Sequence, residues 1–193
     1  MSEDFSNGYD AIADEFISVR LTSGRDLVAA WAASLPRGGA VVDVGAGSGA
    51  PLTAALIDAG LTAFAIDASP KMAAAFRRRF PDVEVACEPA EHSRFFDRTF
   101  DAALAVGLVF LLPPDGQRTL LRRVAEALRP GGRLLFSAPR QVCAWRDSLT
   151  GRPSSSLGAD EYACVLAEAD VSVVDERADE GGTHYFDARK SAG

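Results

Sequence analysis

Residues 41–50 read VVDVGAGSGA. Val41, Val42 and Val44 are β-branched and apolar, and the run is short. That pattern predicts a strand buried on both faces, the kind found in parallel sheets. Glycines then occupy positions 45, 47 and 49. Glycine admits positive φ and lets two backbones, or a backbone and a ligand, approach closely. The strand therefore ends either in a bare tight turn or in a seat for a bound molecule.

The remaining chain alternates strand and helix signals with no internal repeat. Residues 9–35 read as helical in two pieces around Thr22–Gly24, and PRGG at 36–39 stops them. Strand signals follow at 41–44, TAFAIDAS (62–69), VEVAC (83–87), FDAALAVG (100–107) and RLLFSAP (133–139). Helices are expected between them, over 51–59, from Pro70 to about Phe80 with Ser69 as cap, and over 115–128. Residues 140–158 read as a polar, irregular stretch. A helix over about 160–168 precedes two closing strands, VSVVDE and HYFDARK. The connection between those strands is too short for a crossover, so they run antiparallel. The whole predicts an α/β fold, a mostly parallel sheet with helices on both faces. Ligands in such sheets bind outside the carboxyl ends of the strands. The segments 45–49, Asp67, 87–91, 106–108 and the chain from Pro139 onward converge on that rim.

A chain of 193 residues suits one domain with a sizeable core. Its formal net charge of −7 repels phosphate backbones, so nucleic acid is excluded as a partner. The arginine runs at 77–79 and 122–123 read as solvated helix faces. Cys87, Cys143 and Cys164 are widely spaced with no CxxC, which predicts buried free thiols and neither zinc nor a disulfide framework. The start is polar and acidic, and no run reaches the ~18 apolar residues of a membrane span. A cytoplasmic protein with no membrane partner, monomer or homodimer, is expected.

GAGSGA fits two patterns. It matches the dinucleotide fingerprint G-x-G-x-x-[G/A] with Ala50 last, and the D-x-G-x-G-x-G pattern of S-adenosylmethionine binding from Asp43. Both expect an acid about 20 residues on to hold ribose hydroxyls, here Asp67. A dehydrogenase usually needs a second domain, for which the chain leaves little room. None of Tyr9, Tyr162 or Tyr185 has the lysine four residues on that short-chain reductases use. With VVDVGAGSG, AIDASPKM, FDAALAVG, LRPGGRLLF and the closing strand pair in this order, the chain resembles the class I S-adenosylmethionine-dependent methyltransferases over nearly its full length.

The resemblance implies a Rossmann-like three-layer sandwich with seven strands, the last reversed and inserted between the fifth and sixth. It implies one domain over 1–193, with a helical cap at 1–35, a donor-binding core at 36–138, an acceptor-side loop at 139–160 and a C-terminal helix and strand pair at 161–193. The implied cofactor is S-adenosylmethionine, leaving as S-adenosylhomocysteine. Its seat would be Asp43, Gly45, Ala46, Gly47, Ser48 and Gly49, with Asp67 on the ribose and Ala68 and Met72 along the adenine. Glu88 or Glu91 would meet the adenine amino group. Gly107 and Leu108 would contact the donor after the fourth strand, and Tyr9 and Arg20 from the cap.

The acceptor side carries fewer signals. No metal-ligand cluster is visible, so metal-assisted transfer is disfavoured. LLPPDG lacks the flanking residues of amino-group methyltransferase loops, no Pro-Cys pair exists, and LVFLL at 108–112 reads as an apolar wall. DERADEGGTHY is expected to overhang the rim and place His184 and Tyr185 there. His184, Tyr185 and Tyr9 are the candidate catalytic residues, and Trp145, His184 and Tyr185 the candidate acceptor contacts. Asp179 or Glu180, if either faces the cavity, favours a cationic or amine acceptor. The expected reaction is methyl transfer to O, N or S of a small molecule. A binding protein without transferase activity and a nucleotide-dependent oxidoreductase are the alternatives.

Overall fold

The computed structural model describes residues 4–19 and 22–193. Helices α1 (Ala13–Val19) and α2 (Arg25–Ala32) precede strand β1 (Ala40–Val44). Then come α3 (Leu52–Asp58), β2 (Thr62–Asp67), α4 (Pro70–Arg79) and β3 (Glu84–Cys87). Ser69 caps α4, its side chain accepting from the Met72 amide at 3.1 Å. Strand β4 (Phe100–Ala105), helix α5 (Pro114–Ala127) and strand β5 (Leu128–Ser137) complete the parallel part. A hairpin, β6 (Cys143–Arg146) and β7 (Pro153–Ser156), is followed by α6 (Ala159–Ala167), β8 (Val171–Ala178) and β9 (His184–Lys190).

The large sheet has the order β3-β2-β1-β4-β5-β9-β8. Strands β1 to β5 pair in parallel, and β9 lies antiparallel between β5 and β8. This is the expected topology with its reversed last strand. Alternation along each strand gives the sheet two apolar faces. Val42, Val44, Ile66, Leu134, Phe136 and Phe186 pack under α5 and α6. Val41, Leu104, Leu135 and Tyr185 pack under Trp31 of α2 and Leu56 of α3. A buried carboxylate on the second face, Asp187, is paired: it accepts from Trp31 Nε1 at 3.2 Å and from Arg133 Nε at 3.0 Å.

Three expectations change. RPGG belongs to β5, because Leu128 already pairs with Phe100 before the ladder breaks and resumes at Ala102. Cys87 and Cys164 are exposed and Cys143 is half-buried, so the thiols are not core residues. Among the arginine runs, 77–79 is exposed, but Arg122 pairs with Glu168 at 2.6 Å and ties α5 to α6.

The stretch read as irregular contains the β6–β7 hairpin. Its polarity hid a buried side, since Ser154 and Ser156 are both buried. Hydrogen bonds fix it where apolar packing is scarce. Gln117 Nε2 donates to Leu112 O at 2.9 Å and to Ser155 O at 2.8 Å. The Tyr162 hydroxyl donates to Gln117 Oε1 at 2.7 Å and accepts from the Leu157 amide at 3.1 Å. Tyr162→Phe leaves two buried polar groups short of a partner. It is expected to lower stability by about 1–3 kcal/mol. Urea denaturation measures this, and an unchanged midpoint would contradict the anchoring role.

Candidate active site

A cavity of about 400 Å³ opens at the carboxyl ends of the parallel strands. Its floor is the loop after β1. Gly45, Gly47 and Gly49 all have positive φ, at 73°, 57° and 80°. Their roles differ. A Cβ on Gly45 would lie 3.0 Å from Leu108 Cβ, so the bare residue lets the loop pass beside the β4 end. A Cβ on Gly49 would lie 2.5 Å from Phe80 and 2.7 Å from Phe76, so this glycine seats the loop on α4 and does not line the cavity. A Cβ on Gly47 would meet nothing within 4 Å, and Gly47 lines the cavity with Ala46 and Ser48.

The loop is tied to β2. Gly45 and Ala46 donate their amides to Ile66 O at 2.8 and 3.1 Å. The Gly47 amide donates to Asp67 Oδ2 at 2.7 Å, and the Ser69 amide to Asp67 Oδ1 at 2.8 Å. Asp67 keeps some surface at the cavity, yet its carboxyl lies deep among protein atoms. Burial pushes that carboxyl above its ordinary range. The Ser69 and Gly47 amides pull it back, and Asp10 adds to the upward push. Asp43 is buried below the loop and accepts from Thr53 Oγ1 at 2.5 Å. Ala68 of the β2–α4 turn and Met72 of the first turn of α4 also line the cavity.

Glu91 lines the cavity and Glu88 does not; the Glu88 amide is spent on Asp67 O at 3.1 Å. Gly107 and Leu108 line it after β4, and the Gly107 amide donates to Ser137 Oγ at 2.8 Å. The apolar wall read at 108–112 is present, with Leu108, Phe110, Leu111 and Leu112 all lining. Tyr9 lines from the N-terminal segment, its hydroxyl donating to Asp147 Oδ2 at 3.1 Å. Arg20 lies outside the described residues.

Sequence reasoning passed over several lining residues. Ser137 ends β5, and the strand-end rule that selected Gly107 reaches it. Phe5, Asn7, Phe16 and Asp147 come from a roof whose contacts span more than a hundred residues of chain, which no local pattern encodes. The Asn7 Nδ2 atom is buried and has no hydrogen-bond partner among the described residues.

The expectation that His184 and Tyr185 share the rim fails on strand geometry. Adjacent residues of a strand point to opposite faces. Tyr185 lines the cavity, and its hydroxyl donates to Asp179 Oδ2 at 3.1 Å. Gly24 makes room for it, since a Cβ there would lie 2.3 Å from that hydroxyl. His184 turns away, with Nε2 at 2.9 Å from Glu176 Oε2 and its ring 4.8 Å from that of Phe186. Trp145 is also outside the cavity wall. It packs 5.5 Å from Phe110, which does line it, and so backs the wall. Asp179 lines the cavity, whereas Glu180 accepts from the Gly24 amide at 3.3 Å. Among the described residues no group of three or more His, Cys, Asp or Glu is placed to hold a metal ion. No described helix is long and apolar enough to cross a membrane.

The reversed strand inserted beside β5, and a glycine loop tied to an acid on the adjoining strand, define the fold of the class I S-adenosylmethionine-dependent methyltransferases. A family model described as a methyltransferase domain matches residues 41–132. The chain is similar to the demethylmenaquinone methyltransferase of Paenarthrobacter aurescens (strain TC1), with 31% identity over 154 residues, 78% of this chain and 58% of that protein. The enzyme of the same name from Renibacterium salmoninarum is 32% identical over 143 residues, 72% of this chain and 58% of that one. The chain thus spans 58% of the length of these curated relatives. Among solved structures, Burkholderia thailandensis 1,6-didemethyltoxoflavin-N1-methyltransferase, with its acceptor and S-adenosylhomocysteine bound, matches with TM-score 0.72 and 24% identity, covering 99% of this chain and 92% of that one. The CcbJ methyltransferase of Streptomyces caelestis matches with TM-score 0.74 and 17% identity, covering 98% of each chain.

The glycines are separable by experiment. Gly49→Ala combines positive φ with a steric clash and is expected to destabilise by about 1–3 kcal/mol. Gly47→Ala carries backbone strain alone, about 1–2 kcal/mol at most. Urea midpoints of the two variants check the order, and a larger loss for Gly47→Ala would contradict these assignments.

Proposed function

We propose that the chain transfers the methyl group of S-adenosylmethionine to an O, N or S nucleophile of a small-molecule acceptor. The observation that carries this reading is the cradle itself. Bare backbone at Gly47 and Gly107 borders open space, with the Asp67 carboxylate beside it. The polar groups also fit the donor. Asp43, Asp67 and Glu91 are hydrogen-bond acceptors, and the donor carries ribose hydroxyls, an adenine amino group and an ammonium. The Asn7 amide in the same wall, without a partner among the described residues, is placed to donate to a bound ligand.

In this reading Gly45, Ala46, Gly47, Ser48 and Gly49 form the seat, with Asp43 orienting it from below. Asp67 holds the ribose hydroxyls, Ala68 and Met72 flank the adenine, and Glu91 takes its amino group in preference to Glu88. Gly107 and Leu108 complete the seat, and Arg20 and Tyr9 close it from the N-terminal cap. The bound donor supplies a methyl carbon already activated by its sulfonium. The protein aligns the acceptor and keeps water out. A roof over the cavity serves both ends. Tyr9 meets Asp147, and Asp4 pairs with Arg152 at 2.6 Å, so the N-terminal segment and the β6–β7 hairpin meet above the cavity. Tyr185, with the Asp179 carboxylate it donates to, forms the far wall, where the acceptor would bind.

Asp67→Ala is expected to weaken S-adenosylhomocysteine binding by about 1–3 kcal/mol in calorimetry. Unchanged affinity would remove Asp67 from the sugar site. The sign of the pH effect follows from the raised carboxyl. Sugar hydroxyls donate to the ionised form, so affinity falls as pH drops through the raised range of Asp67. Asp67→Ala flattens that dependence, and an affinity that rises on acidification would contradict the role. His184→Ala is expected to leave both turnover and nucleoside affinity within about twofold, since the ring faces away; a tenfold loss of turnover would restore it as a catalytic residue.

A further inference from the structure

The cavity has two ends. The loop 45–49, Asp67 and Glu91 lie over β1, β2 and β3, and the proposed function places the donor there. The other end lies over β4, β5 and β9, where Gly107, Ser137 and Tyr185 line it. Asp179 precedes β9 and lines the cavity with Tyr185, and a second carboxylate, Asp147, lines it from another loop. Asp147 Oδ1 accepts from the Leu149 and Thr150 amides at 3.1 and 2.7 Å, which orders the turn between β6 and β7. Asp179 Oδ1 accepts from the Gly181 and Thr183 amides, both at 2.9 Å, which orders the turn between β8 and β9. These bonds occupy one oxygen of each acid. The second oxygen of each meets a tyrosine hydroxyl that also lines the cavity, Tyr9 for Asp147 and Tyr185 for Asp179. Phe16 and Phe110 add aromatic surface. No lysine, arginine or histidine lines the cavity among the described residues.

From this we infer that the acceptor is an aromatic or heteroaromatic nitrogen compound, neutral or cationic, that presents N–H groups to the Asp179 carboxylate, with Asp147 adding negative charge to the same cavity. The inference rests on the proposed methyl transfer and narrows its acceptor. A carboxylate or phosphate acceptor would bring negative charge into a cavity lined by these acids, which electrostatics disfavours. An amine does the reverse. The neutral amine supplies the lone pair that forms the new N–CH3 bond as the S–CH3 bond breaks with its pair retained by sulfur, and positive charge moves onto nitrogen; an acceptor that binds as the ammonium first loses one proton to solvent. The carboxylates stabilise that charge where it develops, and one N–H proton then passes to the Asp179 carboxylate and on to solvent. Asp179 is in this account the acceptor-binding group and Tyr185 its positioning partner.

The test uses the full chain saturated with S-adenosylhomocysteine and ring-matched probe pairs of opposite charge: tryptamine against indole-3-acetate, and benzylamine against benzoate. Calorimetry or ligand-observed NMR gives the affinities. The amine of each pair is expected to bind at least about tenfold more tightly. Asp179→Asn keeps an oxygen for the Gly181 and Thr183 amides, so the turn survives, and a thermal melt checks that it does. This variant is expected to shrink the amine preference several-fold with S-adenosylhomocysteine affinity unchanged. Asp147→Asn gives the parallel measurement at the other loop. Equal or tighter binding of the carboxylates, failure of both amines to bind the nucleoside complex, or a preference indifferent to both substitutions would overturn the inference. Failure of S-adenosylhomocysteine itself to bind would instead overturn the proposed function.

Discussion

The hydrogen bond from the Gly47 amide to the Asp67 carboxylate holds the site open. Its partner bond from the Ser69 amide turns the chain from β2 into α4, so one carboxylate fixes two strand ends and the entry of a helix. The arrangement takes a positive φ at 47, where the backbone borders the cavity, and requires a residue without Cβ at 49, where the loop presses on Phe76 and Phe80. It also leaves an acid deep among protein atoms, with burial opposing its charge. A buried carboxylate beside an open cavity, supported by backbone donors, is a group prepared for further donors from a ligand.

What the sequence revealed follows the range of the interactions involved. Strand β1, the glycine loop, the Ser69 cap of α4 and the reversal of β9 depend on residues close in the chain or on the length of one connection, and all were legible. The cavity lining by Asp67, Ala68 and Met72 was legible for the same reason, since they sit at a strand end, in its following turn and in the first turn of α4. The choice of Glu91 over Glu88 was not, because it depends on how a short helical turn after β3 rotates its side chains.

The acceptor side was read less well. His184 and Tyr185 were taken together, although strand alternation allows only one of them to face the cavity. The hairpin at 143–156 was missed because serine side chains, not apolar ones, form its inner face, and its anchors lie on α5 and α6. Trp145 looked like a pocket wall and is its backing, one layer behind Phe110. The errors over the hairpin and Trp145 share a cause. The roof is assembled from segments far apart in sequence, joined by single hydrogen bonds such as Tyr9 to Asp147.

The division of labour across the sheet follows from the strand order. Parallel strands on one side end in loops of fixed backbone geometry, suited to a nucleoside that must always sit the same way. The reversed strand and the β6–β7 hairpin bring a second set of acids and tyrosines to the other side, where side chains rather than backbone set the chemistry. The most direct measurement of the central claim is a crystal structure of the chain with S-adenosylhomocysteine. The account predicts sugar hydroxyls on the Asp67 carboxylate and backbone at residues 45–49 against the nucleoside. A nucleoside bound elsewhere, or a crevice filled by the protein's own side chains, would contradict it.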